Sequence, residues 1–267
     1  MHKVVSICPN LKLNVEGMPI LGLGTIGTGR RWPMTNKSWK MPLEQDVFDY
    51  YQHAAMAGIR MWDTAPAYGL AEERMGAFLK QFPRVAEQVV IATKWGEEFD
   101  LTSETSQMDN SVFHLRKSVE RSGKYLPRID ILYFHNPTVP VLSDPDIREE
   151  YARLSAENKI RYSGVSVSDP DLLQNLLSKD LLWTTYLQVP SRLIWNHEPL
   201  VQKAHRKGLV IVVNSPSRGK PVGMSNPDAY RALAEKAYVS FILTGSRTHF
   251  LETLGYFDRS IQSESKA

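Results

Sequence analysis

Four side chains in this 267-residue chain could together move a proton and polarise a carbonyl: Asp63, Tyr68, Lys94 and His135. A free tyrosine has a pKa of about 10, too high for ready proton exchange at neutral pH. An adjacent ammonium such as Lys94 favours the phenolate and lowers that value. A carboxylate such as Asp63, paired with the lysine, holds it charged and oriented. A histidine beside the tyrosine, such as His135, can hydrogen-bond a substrate carbonyl oxygen. A proton donor and a polarising group are what carbonyl reduction requires. They supply no electrons, so a hydride-carrying cofactor is implied. Each residue also has a plainer use. Asp63 could cap a helix or shape a loop, and Lys94 could lie at the surface past a strand. Tyr68 could be a packed loop aromatic, and His135 a hydrogen-bonded loop residue before Pro137.

Their positions favour the chemical use. Segment 58–69, GIRMWDTAPAYG, reads as an apolar strand ending in Asp63, then a Pro/Gly-punctuated loop that carries Tyr68. A helix follows over 71–80, with Met75, Phe78 and Leu79 on one face. Apolar runs at 19–24, 59–62, 89–93, 129–134, 160–165, 184–189, 209–213 and 239–243 read as eight strands. Helical patterns follow from about 43, 71, 111, 145, 170, 198, 227 and 248. Lys94, His135 and Ser166 come directly after the third, fourth and fifth runs, and Gln188 lies near the end of the sixth. Eight βα units in roughly 250 residues have the rhythm of a (β/α)8 TIM barrel, in which strand ends converge on one mouth. A doubly wound sheet of this length more often has fewer strands. A short N-terminal β-hairpin is expected ahead of the barrel between residues 11 and 23, and a long polar loop after the third strand. Nothing in the composition marks a linker, so residues 1–267 read as one domain.

With those residues in place, the chain resembles the aldo-keto reductases over nearly its whole length. The resemblance rests on GLGT at 22–25, on segment 58–69 with Glu72 and Gly76 beyond it, and on ATKW at 92–95. It rests also on YFHNP at 133–137, KIRYSGVS at 159–166, NSP at 214–216 with Gly219, and GSR at 245–247. The resemblance implies that Tyr68 is the proton donor or acceptor, that Asp63 and Lys94 tune it, and that His135 orients the carbonyl. It implies NADP(H) as cofactor. Ser166 and Gln188 would hold the nicotinamide carboxamide, and Asn214, Ser215 and Pro216 would flank the ring. Gly245, Ser246 and Arg247 would meet the adenosine phosphates. Basic Arg247, with Arg218 and Lys220, leans towards a 2′-phosphate. Two departures stand out. Val167 replaces the asparagine common after the serine, and Asn214 replaces the aromatic that stacks under the ring.

GLGTIG at 22–27 matches the dinucleotide pattern GxGxxG, but Arg30, Arg31, Trp32 and Pro33 follow instead of a helix. These glycines read as a tight loop at the mouth, placing Gly24, Thr25 and Ile26 near the cofactor. Trp32 and Trp95 are candidate aromatic walls for a substrate; Trp195 is as suited to packing under a loop.

The formal charge of +3 is spread along the chain, giving no case for nucleic acid or a polybasic membrane anchor. No apolar run reaches the roughly 18 residues of a membrane span. The single cysteine, Cys8, excludes an internal disulfide and suits a reducing compartment, so a cytoplasmic location is expected. No metal site is expected. The expected function is interconversion of an aldehyde or ketone and its alcohol, with a small-molecule substrate. The alternatives are a regulatory or binding barrel, or an acid–base lyase or dehydratase, with a weakened nicotinamide site.

Overall fold

A computed structural model describes residues 20–35, 37–179, 183–245, 247 and 249–257. The expected N-terminal hairpin begins outside these residues, and Ser246 lies outside them. The strands, in chain order, are β1 (Leu21–Gly24), β2 (Met61–Asp63), β3 (Val90–Trp95), β4 (Glu97–Asp100), β5 (Thr105–Met108), β6 (Ile131–His135), β7 (Tyr162–Ser166), β8 (Tyr186–Pro190), β9 (Val210–Asn214) and β10 (Val239–Thr244). All except β4 and β5 pair in parallel and close into an eight-stranded barrel, in the order β1-β10-β9-β8-β7-β6-β3-β2. The helices are α1 (Ile26–Gly29), α2 (Glu44–Met56), α3 (Ala71–Gln81), α4 (Pro83–Gln88), α5 (Val112–Tyr125), α6 (Val139–Leu142), α7 (Pro145–Ala156), α8 (Pro170–Ser178), α9 (Ser191–Arg206) and α10 (Asn226–Ala234) between strands, and α11 (Phe250–Gly255) after β10. The expected (β/α)8 barrel is therefore the fold.

The helix boundaries follow local chemistry. Ser111, Asp144, Asp169 and Ser225 cap α5, α7, α8 and α10, each side chain accepting from a backbone N–H of the first turn. Proline stands early in α7, α8 and α10, where its missing N–H costs nothing. The helix expected from 198 begins instead at Ser191 and kinks at His197, just before Pro199. Trp195 thereby sits on a helix, half-buried against the core, rather than in a loop.

The strands sort their side chains by the period of two. Met61, Ala92, Ile131, Tyr133, Tyr186 and Val212 form one cluster inside the barrel. Trp62, Ile91, Trp95, Leu132, Phe134 and Val165 join the larger core shared with the helices. Extending the inward rows towards the strand ends gives Asp63, Lys94, His135, Ser166, Gln188 and Asn214. The register supports this: His135 lies opposite Ser166, Ser166 opposite Gln188, and Gln188 opposite Val212.

The segment expected as a polar loop after β3 contains a hairpin. β4 and β5 pair antiparallel, Glu97 with Met108 and Phe99 with Ser106. Its sequence lacks apolar alternation because β5 is fully exposed, so nothing in the pattern marks it as a strand. No helix among the described residues is long and apolar enough to cross a membrane.

Candidate active site

The floor of the mouth is a closed polar network. Lys94 Nζ donates to Asp63 Oδ1 at 2.6 Å and to the Thr64 carbonyl at 3.0 Å. Gln188 Nε2 donates to Asp63 Oδ2 at 2.8 Å. Ser166 Oγ and Asn214 Nδ2 both donate to Gln188 Oε1, each at 3.2 Å. Asp63, Lys94 and Gln188 are all buried. Burial pushes the Asp63 carboxyl up, against the pull of Lys94 and Gln188. For Lys94, burial works against the charge, but Asp63 and Tyr68 outweigh it and hold the ammonium above its ordinary value. A buried pair with its remaining valences satisfied in this way is held charged and oriented.

Tyr68 stands over that pair, with Lys94 Nζ 4.8 Å from its ring centroid. It closes the short 3-10 turn Pro66–Tyr68 between β2 and α3. Gly69, at φ 63°, allows the chain to leave that turn. Gly29 allows the loop after β1 to lie against it, because a Cβ there would come within 2.1 Å of the Tyr68 carbonyl oxygen. The Leu70 N–H donates to the Gly29 carbonyl at 3.2 Å and locks the two loops together. The tyrosine differs from expectation in its titration. Its burial outweighs the ammonium, and the negative Asp63 and Glu97 add to it, so the phenol is raised rather than lowered. The phenol is therefore protonated at neutral pH.

His135 ends β6 at the same mouth. Burial, helped by Lys94 and Arg30, pushes its imidazole down to about 3, so the ring is neutral at physiological pH. Glu97 Oε2 lies 3.0 Å from His135 Nδ1. The oxygen is off the direction of a hydrogen bond, and Nδ1 has no hydrogen-bond partner. Proximity without alignment makes Glu97 an electrostatic neighbour of the ring rather than the anchor of its tautomer.

Above these groups is a cavity of about 580 Å³, within the size range of small-molecule sites. Asp63, Tyr68, His135 and Ser166 line it, and so do Gly24, Thr25, Ile26, Trp32, Asn214, Ser215 and Gly245. Lys94 and Gln188 lie beneath the lining, each bonded to Asp63, and Lys94 also stands beside Tyr68. Pro216 is buried outside it, and Arg247 lies elsewhere, 3.8 Å from Asp46 Oδ2. Of the two proposed aromatic walls, only Trp32 lines the mouth. Trp95 is fully buried, stacked on Phe134 at 4.0 Å between ring centroids, and its Nε1 donates to Tyr151 Oη at 2.7 Å. It follows the inward-facing Lys94 by one residue and so points outward to the helices. Val167 is buried in that outer core for the same reason.

Several lining residues carried no signal in the sequence. Arg30, Glu97 and Phe99 line the cavity, as do Asn136 and Ser168. Ser168 Oγ donates to Asn136 Oδ1 at 3.0 Å. Asn136, at φ 48°, is one of the few non-glycine residues in the left-handed region, a conformation asparagine tolerates. The HNP sequence at 135–137 was the available hint.

A barrel with acid, base and polarising groups at its C-terminal strand ends has the anatomy of a TIM-barrel enzyme. The profile of the aldo/keto reductase family matches residues 20–221, more than half of the chain. This chain belongs to that family. It is 31% identical over 215 residues to an NADH-specific methylglyoxal reductase of Escherichia coli, covering 73% of this chain and 63% of that protein. It is 30% identical over 142 residues to a D-threo-aldose 1-dehydrogenase of a Pseudomonas species, covering 45% of this chain and 40% of that one. The chain spans about half the length of the curated relatives it matches. Among solved structures, one assigned to the aldo-keto reductases from Pseudomonas aeruginosa superposes with a TM-score of 0.76 at 25% identity, covering 99% of both chains.

Proposed function

We propose that the chain is an NADP(H)-dependent oxidoreductase that interconverts a carbonyl compound and its alcohol, with Tyr68 as the proton donor or acceptor. The buried Asp63–Lys94 pair beneath Tyr68, at the base of an open cavity, carries the reading. In reduction, Tyr68 Oη gives its proton to the carbonyl oxygen. Lys94 stabilises the phenolate left behind, and Asp63 keeps Lys94 charged and placed. His135 orients the carbonyl oxygen towards Tyr68. A bound nicotinamide supplies the hydride in this direction and accepts it in the reverse.

The residues present suit that group. Ser166 Oγ keeps acceptor lone pairs, and Asn214 keeps its carboxamide oxygen, for an incoming carboxamide. A Cβ added at Gly245 would meet nothing within 4 Å, leaving room above that strand end. NADP is favoured by Arg247, whose 3.8 Å approach to Asp46 is loose enough to give way to a 2′-phosphate. One relative is named as NADH-specific, so both cofactors belong in the test.

Titration with NADPH and NADH, followed by a carbonyl and alcohol screen, measures the cofactor and the direction. Tyr68→Phe is expected to keep cofactor affinity while turnover falls by about 10²–10⁴. Near-wild-type turnover in that variant would sink the assignment.

A further inference from the structure

Arg30 is only 5% exposed, yet it lines the cavity. Among the described residues its guanidinium has no hydrogen bond and no ion pair, and its Nε is buried without a partner. A guanidinium has five N–H donors, and burying it uncompensated is costly. Part of the compensation is aromatic. The guanidinium carbon lies 4.1 Å from the Phe99 ring centroid and 5.3 Å from that of Trp32. Those contacts do not satisfy the N–H donors. Arg218, which also lines the cavity, stands 5.5 Å from the Trp32 centroid and adds a second positive charge. The opposing charge is Glu97, which lies against His135 and is not within ion-pair distance of Arg30.

The position of Arg30 is imposed by the backbone. It directly follows Gly29, which is pinned against the Tyr68 turn. It therefore occupies the sector of the mouth that holds Tyr68, Glu97 and Phe99. Ser166, Asn214 and Ser215 lie at the ends of β7 and β9, which do not neighbour β1, whereas Gly245 follows β10, which pairs with β1.

We propose that the substrate is a carbonyl compound bearing a carboxylate, and that Arg30 binds the carboxylate while the carbonyl sits between Tyr68 and His135. This rests on the oxidoreductase reading above. The planar fork of a guanidinium matches a carboxylate in a bidentate pair, and Arg30, with Nε enclosed and its stem held beside two rings, keeps its terminal nitrogens open to the cavity for it.

The test compares 2-oxobutanoate, 4-oxobutanoate and 4-carboxybenzaldehyde, each against its methyl ester. For at least one pair, the wild-type protein is expected to favour the acid in kcat/KM by tenfold or more. Arg30→Leu is expected to reduce that acid-to-ester ratio at least tenfold, and Arg30→Lys to restore part of it. Cofactor affinity is expected to stay unchanged, which separates a substrate carboxylate from a cofactor phosphate. Turnover of the esters without an acid preference in any pair would overturn the proposal and leave the redox reading standing. Benzoate binding by saturation-transfer NMR needs no turnover. Binding to wild-type protein that Arg30→Leu abolishes supports the anion site even if no carbonyl is reduced. No benzoate binding at 50-fold excess, together with no acid preference, overturns it.

Discussion

The floor and the rim of the mouth handle charge in opposite ways. On the floor, Asp63 and Lys94 neutralise each other, and Gln188 satisfies the second carboxylate oxygen. On the rim, Arg30 is almost as well buried but has aromatic faces and no direct ion pair, with Glu97 opposing its charge only from a distance. The floor is built from strand ends whose inward direction is fixed by the barrel. The rim is built from a loop and a hairpin, joined by ties between distant segments such as the close approach at Gly29 and the ion pairs Arg31–Glu104 and Arg121–Glu98, each at 3.1 Å. The floor holds its geometry through its own contacts, whereas the rim, as proposed above, is completed by a carboxylate.

Breaking the floor should give the largest effect on stability. Lys94→Met leaves Asp63 as an uncompensated buried carboxylate and is expected to cost about 3–5 kcal/mol in urea unfolding. The double variant with Asp63→Asn should recover much of that loss, since neither charge remains. A single variant as stable as wild type would contradict the paired floor. A smaller effect separates the two regions directly. Gln188→Leu strands Asp63 Oδ2, Ser166 Oγ and Asn214 Nδ2 and should cost about 1–3 kcal/mol. Arg30→Leu should leave thermal stability unchanged or raise it, because an unpaired buried charge is removed. A clear fall in melting temperature for Arg30→Leu would mean that the rim, too, is internally paired.

The smallest expected effect is on pH dependence. Glu97 is negative and raises the Tyr68 phenol. In the proposed reduction that phenol must be protonated, so kcat/KM should fall as pH rises through its pKa. Glu97→Gln removes a charge that opposed the phenolate, and the alkaline limb should move to lower pH. A limb that stays in place, or moves up, would show that Glu97 does not act on Tyr68.

The sequence revealed the floor more fully than the rim, for a physical reason. Asp63, Lys94, His135, Ser166 and Gln188 sit at the ends of apolar strands, and the strand period puts them on one face. Trp95 could have been read correctly by the same rule, since it alternates with Lys94 and must face the helices. Proximity in sequence to Lys94 was the misleading cue. Arg30 had no such rule. Its place depends on Gly29 meeting the Tyr68 turn, a contact between distant segments that no local pattern encodes. Glu97 and Phe99 were hidden because β4 and β5 form a polar hairpin without apolar alternation. Val167 was legible as a departure, but not as a residue of the outer core. The titration of Tyr68 was misread because its burial outweighs the lysine that the sequence placed beside it.

The amide of Gln188 has a further consequence. Its nitrogen holds the Asp63 carboxylate and its oxygen receives Ser166 and Asn214, so one rigid plane spans the two halves of the mouth. A ligand that recruits Ser166 or Asn214 frees part of that oxygen and alters the grip on Asp63. Thermodynamic linkage makes such an influence mutual. If occupancy at Ser166 or Asn214 changes the proton affinity of the Asp63–Lys94 pair, then the protonation state of that pair changes the affinity at Ser166 and Asn214 by the same factor.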